Sequence, residues 1–148
     1  MNLSQLIVLP RLAAGSDLAF LALRVSVGAF LVWGVWDNLT SAEHMATFVV
    51  FLRQFGFPMP QVLAPLDVWV QFAIGVAFVL GLATRWAGLL CAVNFVIAIA
   101  TVDYHAGWRG SFGSMCLVLI GLYLAAHGPG RFSLDALVFR RERGRLRA

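Results

Sequence analysis

Residues 66–102 read LDVWVQFAIGVAFVLGLATRWAGLLCAVNFVIAIATV. Two apolar runs, Leu66–Leu82 and Trp86–Val102, are separated only by Ala83-Thr84-Arg85. A helix that crosses a bilayer needs about 20 mostly apolar residues, with a range of about 17–25. Each run reaches that range, and so short a connection makes the two helices antiparallel neighbours. Working outward, Leu18–Trp36 is a third span with one charge, Arg24, and Phe112–His127 is a fourth, shorter one. The expected fold is an all-α membrane protein, an antiparallel four-helix transmembrane bundle. Gly28, Gly34, Gly75, Gly81, Gly88 and Gly121 fall within the spans, where small residues let helices approach closely in lipid.

Composition points the same way. Of 148 residues, 61% are hydrophobic and 12% charged, and the mean hydropathy is +0.85. Soluble domains are about 45–50% apolar and about 25% charged. So few polar residues cannot cover a surface in water. The composition excludes a disordered chain, a nucleic-acid module and an ordinary soluble enzyme. Met1–Gly15 lacks a basic n-region, and Pro10 and Arg11 interrupt its apolar stretch, so the first span is expected to act as the uncleaved insertion signal.

The net charge is +4, and every basic residue apart from His is Arg. Arg131, Arg140, Arg141, Arg143, Arg145 and Arg147 crowd the C-terminal end. No aromatic residues interleave with the last five for stacking on bases, so anionic lipid is the expected partner and nucleic acid is not. The positive-inside rule keeps this tail, Arg11 and Arg85 cytoplasmic and leaves Arg53 and Arg109 outside. Both termini are then cytoplasmic. Trp33, Trp36, Trp69 and Trp108 form an outer aromatic belt and Trp86 marks the inner interface.

The loop from Asp37 to Pro65 is too long for a plain turn. Thr40-Ser41-Ala42-Glu43 fits a capping box. Met45, Phe48, Val49, Leu52 and Phe55 then recur at helical spacing. An amphipathic interfacial helix is expected over 41–56, serving as a lid or a substrate gate. Gly56-Phe57-Pro58-Met59-Pro60 ends it. Beyond the fourth span, Gly128-Pro129-Gly130 breaks the chain, and Ser133 can cap a short surface helix through Phe139 that leads into the basic tail, 140–148.

Ionisable groups in a span require a partner or a wet cavity. Arg24 is expected to snorkel toward the inner surface, to pair with Asp17 or Asp135, or to meet an anionic lipid or cofactor head group. Asp37, Asp67, Gln71, Asp103, Tyr104 and His105 all fall near the outer ends of their helices. They are read as hydrated helix caps or as a mouth that exchanges protons and hydrogen-bonds a quinone-like carbonyl or hydroxyl. Asp67 and Gln71, four apart, share a helix face. Cys91 and Cys116 lie in apolar runs without metal-ligand spacing and read as buried structural thiols. His44, His105 and His127 are spread over both ends, so no two face a central haem, and no metal site is expected. No phosphate loop or Ser-His-Asp order is present.

Leu23-Arg24 with Gly28, Gly75 to Gly81-Leu82-Ala83-Thr84-Arg85, and Gly128-Pro129-Gly130-Arg131-Phe132-Ser133-Leu134-Asp135 together resemble the DoxX family, over about Leu18–Leu137. The last segment is the most specific. The resemblance implies a four-span bacterial inner-membrane protein in a quinone-linked redox setting, since the family takes its name from a terminal quinol oxidase subunit and relatives resemble thiosulfate:quinone oxidoreductase subunits. Two departures stand out. Where members often carry His-Gly-x-x-Lys-Leu, this chain has Gly34-Val35-Trp36-Asp37-Asn38-Leu39. Where they often carry Val-Glu-x-x-x-Gly, it has Val70-Gln71 before Gly75. Gln71 hydrogen-bonds but carries no titratable proton, so these departures weigh against catalysis by this chain alone.

The leading expectation is a quinone-linked accessory subunit of a membrane redox complex, with Arg24, Asp67, Gln71, Asp103 and His105 at the site and Trp33 or Trp36 stacking on the ring. Its partners would be the lipid bilayer, another membrane or membrane-associated redox protein and, in a homo-oligomer, further copies of itself. The other readings are a non-enzymatic scaffold or assembly factor and a small transporter, for which mid-span polar residues (Arg24, Gln71, Asn94, Ser26) are few.

Overall fold

The computed structural model describes residues 15–138. Among the described residues five long α-helices follow one another: α1 (Ser16–Thr40), α2 (Ala42–Gln54), α3 (Pro60–Leu80), α4 (Thr84–Thr101) and α5 (Gly107–His127). A one-turn 3-10 helix, Asp103–Ala106, precedes α5. Four of them, α1, α3, α4 and the 3-10 turn with α5, are long and apolar enough to cross a membrane. In lipid every backbone N–H and C=O must be satisfied within its own segment, so apolar runs of this length form helices.

The spans exceed their expected bounds mainly at one end. Helix α3 begins at Pro60 rather than Leu66 and carries Pro65 inside it. Proline at the first position lacks only a donor that has no intrahelical partner there. Helix α5 begins at Gly107, so most of the expected loop before Phe112 is helical. The cap expected at Thr40 falls one residue later. The Thr40 hydroxyl, still within α1, donates to Trp36 O at 2.9 Å, while Ser41 Oγ accepts the His44 N–H at 3.4 Å. Ser41 is extended, which turns the chain out of α1. Phe139 and the tail 140–148 lie outside the described residues.

The bundle is two antiparallel pairs, α1 with α3 and α4 with α5, joined through α3 and α4. Each pair crosses glycine on glycine. A Cβ on Gly28 would lie 2.6 Å from Gly75 O, and one on Gly75 2.8 Å from Gly28 O. Gly88 and Gly121 repeat the arrangement, at 2.5 and 2.7 Å. Backbones this close leave no room for a side chain, and the packing energy comes from close contact in lipid. The core between the pairs contains Leu31, Ile74, Phe78, Cys91, Leu117 and Leu124. Cys91 is buried and Cys116 half-buried. The outward faces carry exposed apolar side chains such as Phe30, Val93 and Leu119, and all five tryptophans are exposed. That surface suits a lipid bilayer.

The two ends differ. At the mouth end, α2 packs on α1 and α3 beside the α4–α5 turn. At the tail end, residues 128–138 fold back across the helix ends, with a short helical stretch at 134–138. Ser133 caps that stretch, accepting the Ala136 N–H at 3.1 Å.

Candidate functional site

The mouth half of the bundle encloses a cavity of about 490 Å³. Ligand sites commonly measure about 300–1,000 Å³, mostly apolar with a few placed polar groups. Helix α1 contributes Gly34, Val35 and Asn38, and α2 contributes Phe48, Phe51 and Leu52. Asp67 and Gln71 enter from α3, one turn apart on the same face, and Asn94 and Phe95 from α4. Asp103 and Ser114 close the side nearest α5. The Asn94 amide faces the Asp67 carboxyl. Gln71 reaches back to α1, its Nε2 donating to Leu31 O at 3.5 Å. The amphipathic helix α2 roofs the cavity with its apolar face, as its periodicity requires.

The seven residues expected at one site do not come together. Asp67, Gln71 and Asp103 line the cavity. His105 lies in the exposed 3-10 turn beside it, its ring 6.0 Å from Phe55 and 5.9 Å from Tyr104. Trp33 and Trp36 point outward, lining a separate apolar groove with Val32, Val76 and Val79 on the α1–α3 surface. Helix periodicity puts Gly34 and Val35, but not these tryptophans, on the inner face.

Arg24 lies at the tail end. It packs against Gly81, the C-cap of α3, fourteen residues beyond Asp67, or about 21 Å at 1.5 Å per residue. The expected partners Asp17 and Asp135 are otherwise engaged. Asp17 pairs with Arg131 at 3.8 Å, and Asp135 accepts the Ala83 and Thr84 N–H groups at 2.9 and 3.1 Å. The Arg24 guanidinium instead donates to the carbonyls of Pro129 and Phe132 and is 1% exposed. Thus Arg24, the Gly81–Arg85 turn and the Gly128–Asp135 segment, separate in sequence, form one polar lock. Asp135 places a carboxylate at the α4 N-terminus, where the helix dipole favours negative charge. Arg85 completes the lock by donating to Ala125 O and Ala126 O at the end of α5.

Asn38, Phe51, Asn94 and Ser114 are cavity residues that no motif singled out, whereas Phe48 and Leu52 lay on the expected apolar face of α2. Asn94 had one signal, a lone amide in an apolar span. Its neighbour across the bundle was not readable without the α3–α4 packing.

Comparison with known proteins agrees with this architecture. The family profile described as DoxX matches residues 19–104. A Bacillus subtilis (strain 168) protein described as "Putative oxidoreductase CatD" is 31% identical over 126 residues, covering 84% of this chain and 90% of that protein. No solved structure matches the chain. With more than half of its length under the profile, and a relative aligned over 84% of it, the chain belongs to the DoxX family.

Proposed function

We propose that this protein is a quinone-linked accessory subunit of a membrane oxidoreductase, holding the quinone head group in the mouth cavity. One observation carries the reading: a 490 Å³ apolar chamber inside a membrane bundle, with Gln71, Asn94 and Asp67 converging on it. The residues suit such a group. The Gln71 and Asn94 amides offer N–H donors to a ring carbonyl oxygen. The Asp67 carboxyl holds or accepts a proton beside them. Phe48, Phe51, Phe57 and Phe95 offer apolar faces to the ring. When bound, a quinone supplies two-electron chemistry that no side chain here has, and the electrons come from a partner redox protein. The oxidoreductase description of the Bacillus relative lends the reading support.

The same proposal places the protein in a bacterial inner membrane with both termini cytoplasmic. Arg85 and Arg131 stand at the tail end, with five arginines following at 140–148, against Arg53 and Arg109 at the mouth.

The test is mass spectrometry of small molecules carried by the protein extracted directly into lipid nanodiscs. A stoichiometric quinone is expected in the wild type, falling at least fivefold in Gln71→Leu with unchanged thermal stability. Wild-type protein without quinone, both as isolated and after incubation with a short-chain quinone, overturns the reading and favours a scaffold.

A further inference from the structure

Among the described residues the carboxyl of Asp67 has no cationic partner. Among the described residues the one ion pair joins Asp17 to Arg131 at the tail end, and neither Arg nor His lines the cavity. The mouth-side basic residues Arg53 and Arg109 are exposed. Asp103 adds a second carboxylate to the wall. Asn94, which faces Asp67, is neutral. Taking an uncompensated charge out of water costs several kcal/mol, and ionisable groups inside membrane proteins face a partner or a pathway. Among the described residues the chamber thus offers carboxyl groups without a cationic partner, and a cationic ligand would supply the missing counter-charge.

The rest of the wall tells which counter-charge fits. Phe48, Phe51, Phe57 and Phe95 surround the space, and aromatic faces attract cations electrostatically. A hard metal ion instead takes about six or more oxygen ligands at short range, whereas this chamber is wide and largely apolar. We infer that the cavity binds a lipophilic organic cation, its charge against Asp67 and its apolar body among the phenylalanines. The inference does not rest on the quinone reading, because it concerns the charge of the ligand rather than its redox chemistry.

A pair of probes with one shape and opposite charge tests it. Protein in nanodiscs of uncharged phosphatidylcholine is titrated calorimetrically with tetraphenylphosphonium and with tetraphenylborate, and empty nanodiscs give the partitioning baseline. Saturable one-to-one binding of the phosphonium is expected, weakened at least tenfold in Asp67→Asn, with no saturable binding of the borate. Phe95→Leu, which keeps the carboxylates, should weaken the phosphonium several-fold and serves if Asp67→Asn does not fold. Uptake that never saturates above empty discs, equal binding of both ions, or phosphonium affinity unchanged in a folded variant of either kind overturns the inference. Phosphonium binding by protein that carries no quinone separates this inference from the proposed function, and quinone retention without phosphonium binding separates them in the opposite sense.

Discussion

The guanidinium of Arg24 on the first span donates to the carbonyl oxygen of Phe132 at 2.5 Å, across 108 residues of sequence. A second bond, to Pro129 O, holds the same segment. An ionisable side chain inside a span thus serves as an internal clamp on the C-terminal segment. It is far from the cavity, and it satisfies carbonyls of the irregular segment beyond α5, which has no helical ladder to pair them.

Arg24→Ala should therefore unlock the tail end. Two part-buried carbonyls lose a charged donor, at a cost of about 3 kcal/mol. The thermal midpoint in nanodiscs should fall, and protease should cut within 128–138 while quinone retention at the cavity persists. Arg24→Lys should rescue only part of the stability, because an ammonium cannot reproduce the planar fork of a guanidinium.

Gly75→Ala should loosen the α1–α3 pair. The added Cβ would fall 2.8 Å from Gly28 O, a backbone atom that cannot rotate away. Overpacking of this kind costs about 1–3 kcal/mol. Gly113→Ala on α5, where nothing lies within 4 Å, is the matched control and should be neutral or slightly stabilising. Comparing the two melts checks the crossing.

Asp135→Ala removes the acceptor of two N–H groups at the α4 N-terminus. A loss of about 1–2 kcal/mol is expected, in the range of other N-terminal caps. Asp135→Asn keeps one carbonyl acceptor and should lose less. Hydrogen exchange at Ala83 and Thr84 should rise in both variants, and protection equal to wild type would contradict the capping role.

Trp36 faces the outer groove rather than the chamber. Trp36→Leu should leave quinone retention within twofold of wild type, whereas Gln71→Leu should lower it. A large loss in Trp36→Leu would move the site to the α1–α3 surface.

Orientation is open to a direct chemical check. In protein with Cys91 and Cys116 replaced by Ala, Thr40→Cys at the mouth should react with a membrane-impermeant maleimide added to intact spheroplasts. Phe132→Cys at the tail end should react only after lysis. The reverse pattern would place both termini outside.

The four spans were legible from sequence because lipid leaves an apolar run of about 20 residues only one local solution, a helix that satisfies its own backbone. The amphipathic α2 was legible from its period, and the Ser133 cap from its position after Gly128-Pro129-Gly130. Those are properties of neighbouring residues. The DoxX resemblance was also readable, but its motifs gave no hint that Arg24, Gly81–Arg85 and Gly128–Asp135 meet. Tertiary structure alone decided that Arg24 takes backbone carbonyls and leaves Asp135 to α4. It also put Asn94 opposite Asp67, turned Trp33 and Trp36 outward, and set Gly28 against Gly75. The reason is rotational: an apolar helix in lipid is hydrophobic all round, so its sequence does not mark which face turns inward. Only the close crossing of glycines from different spans fixes that angle, and with it the walls of the cavity.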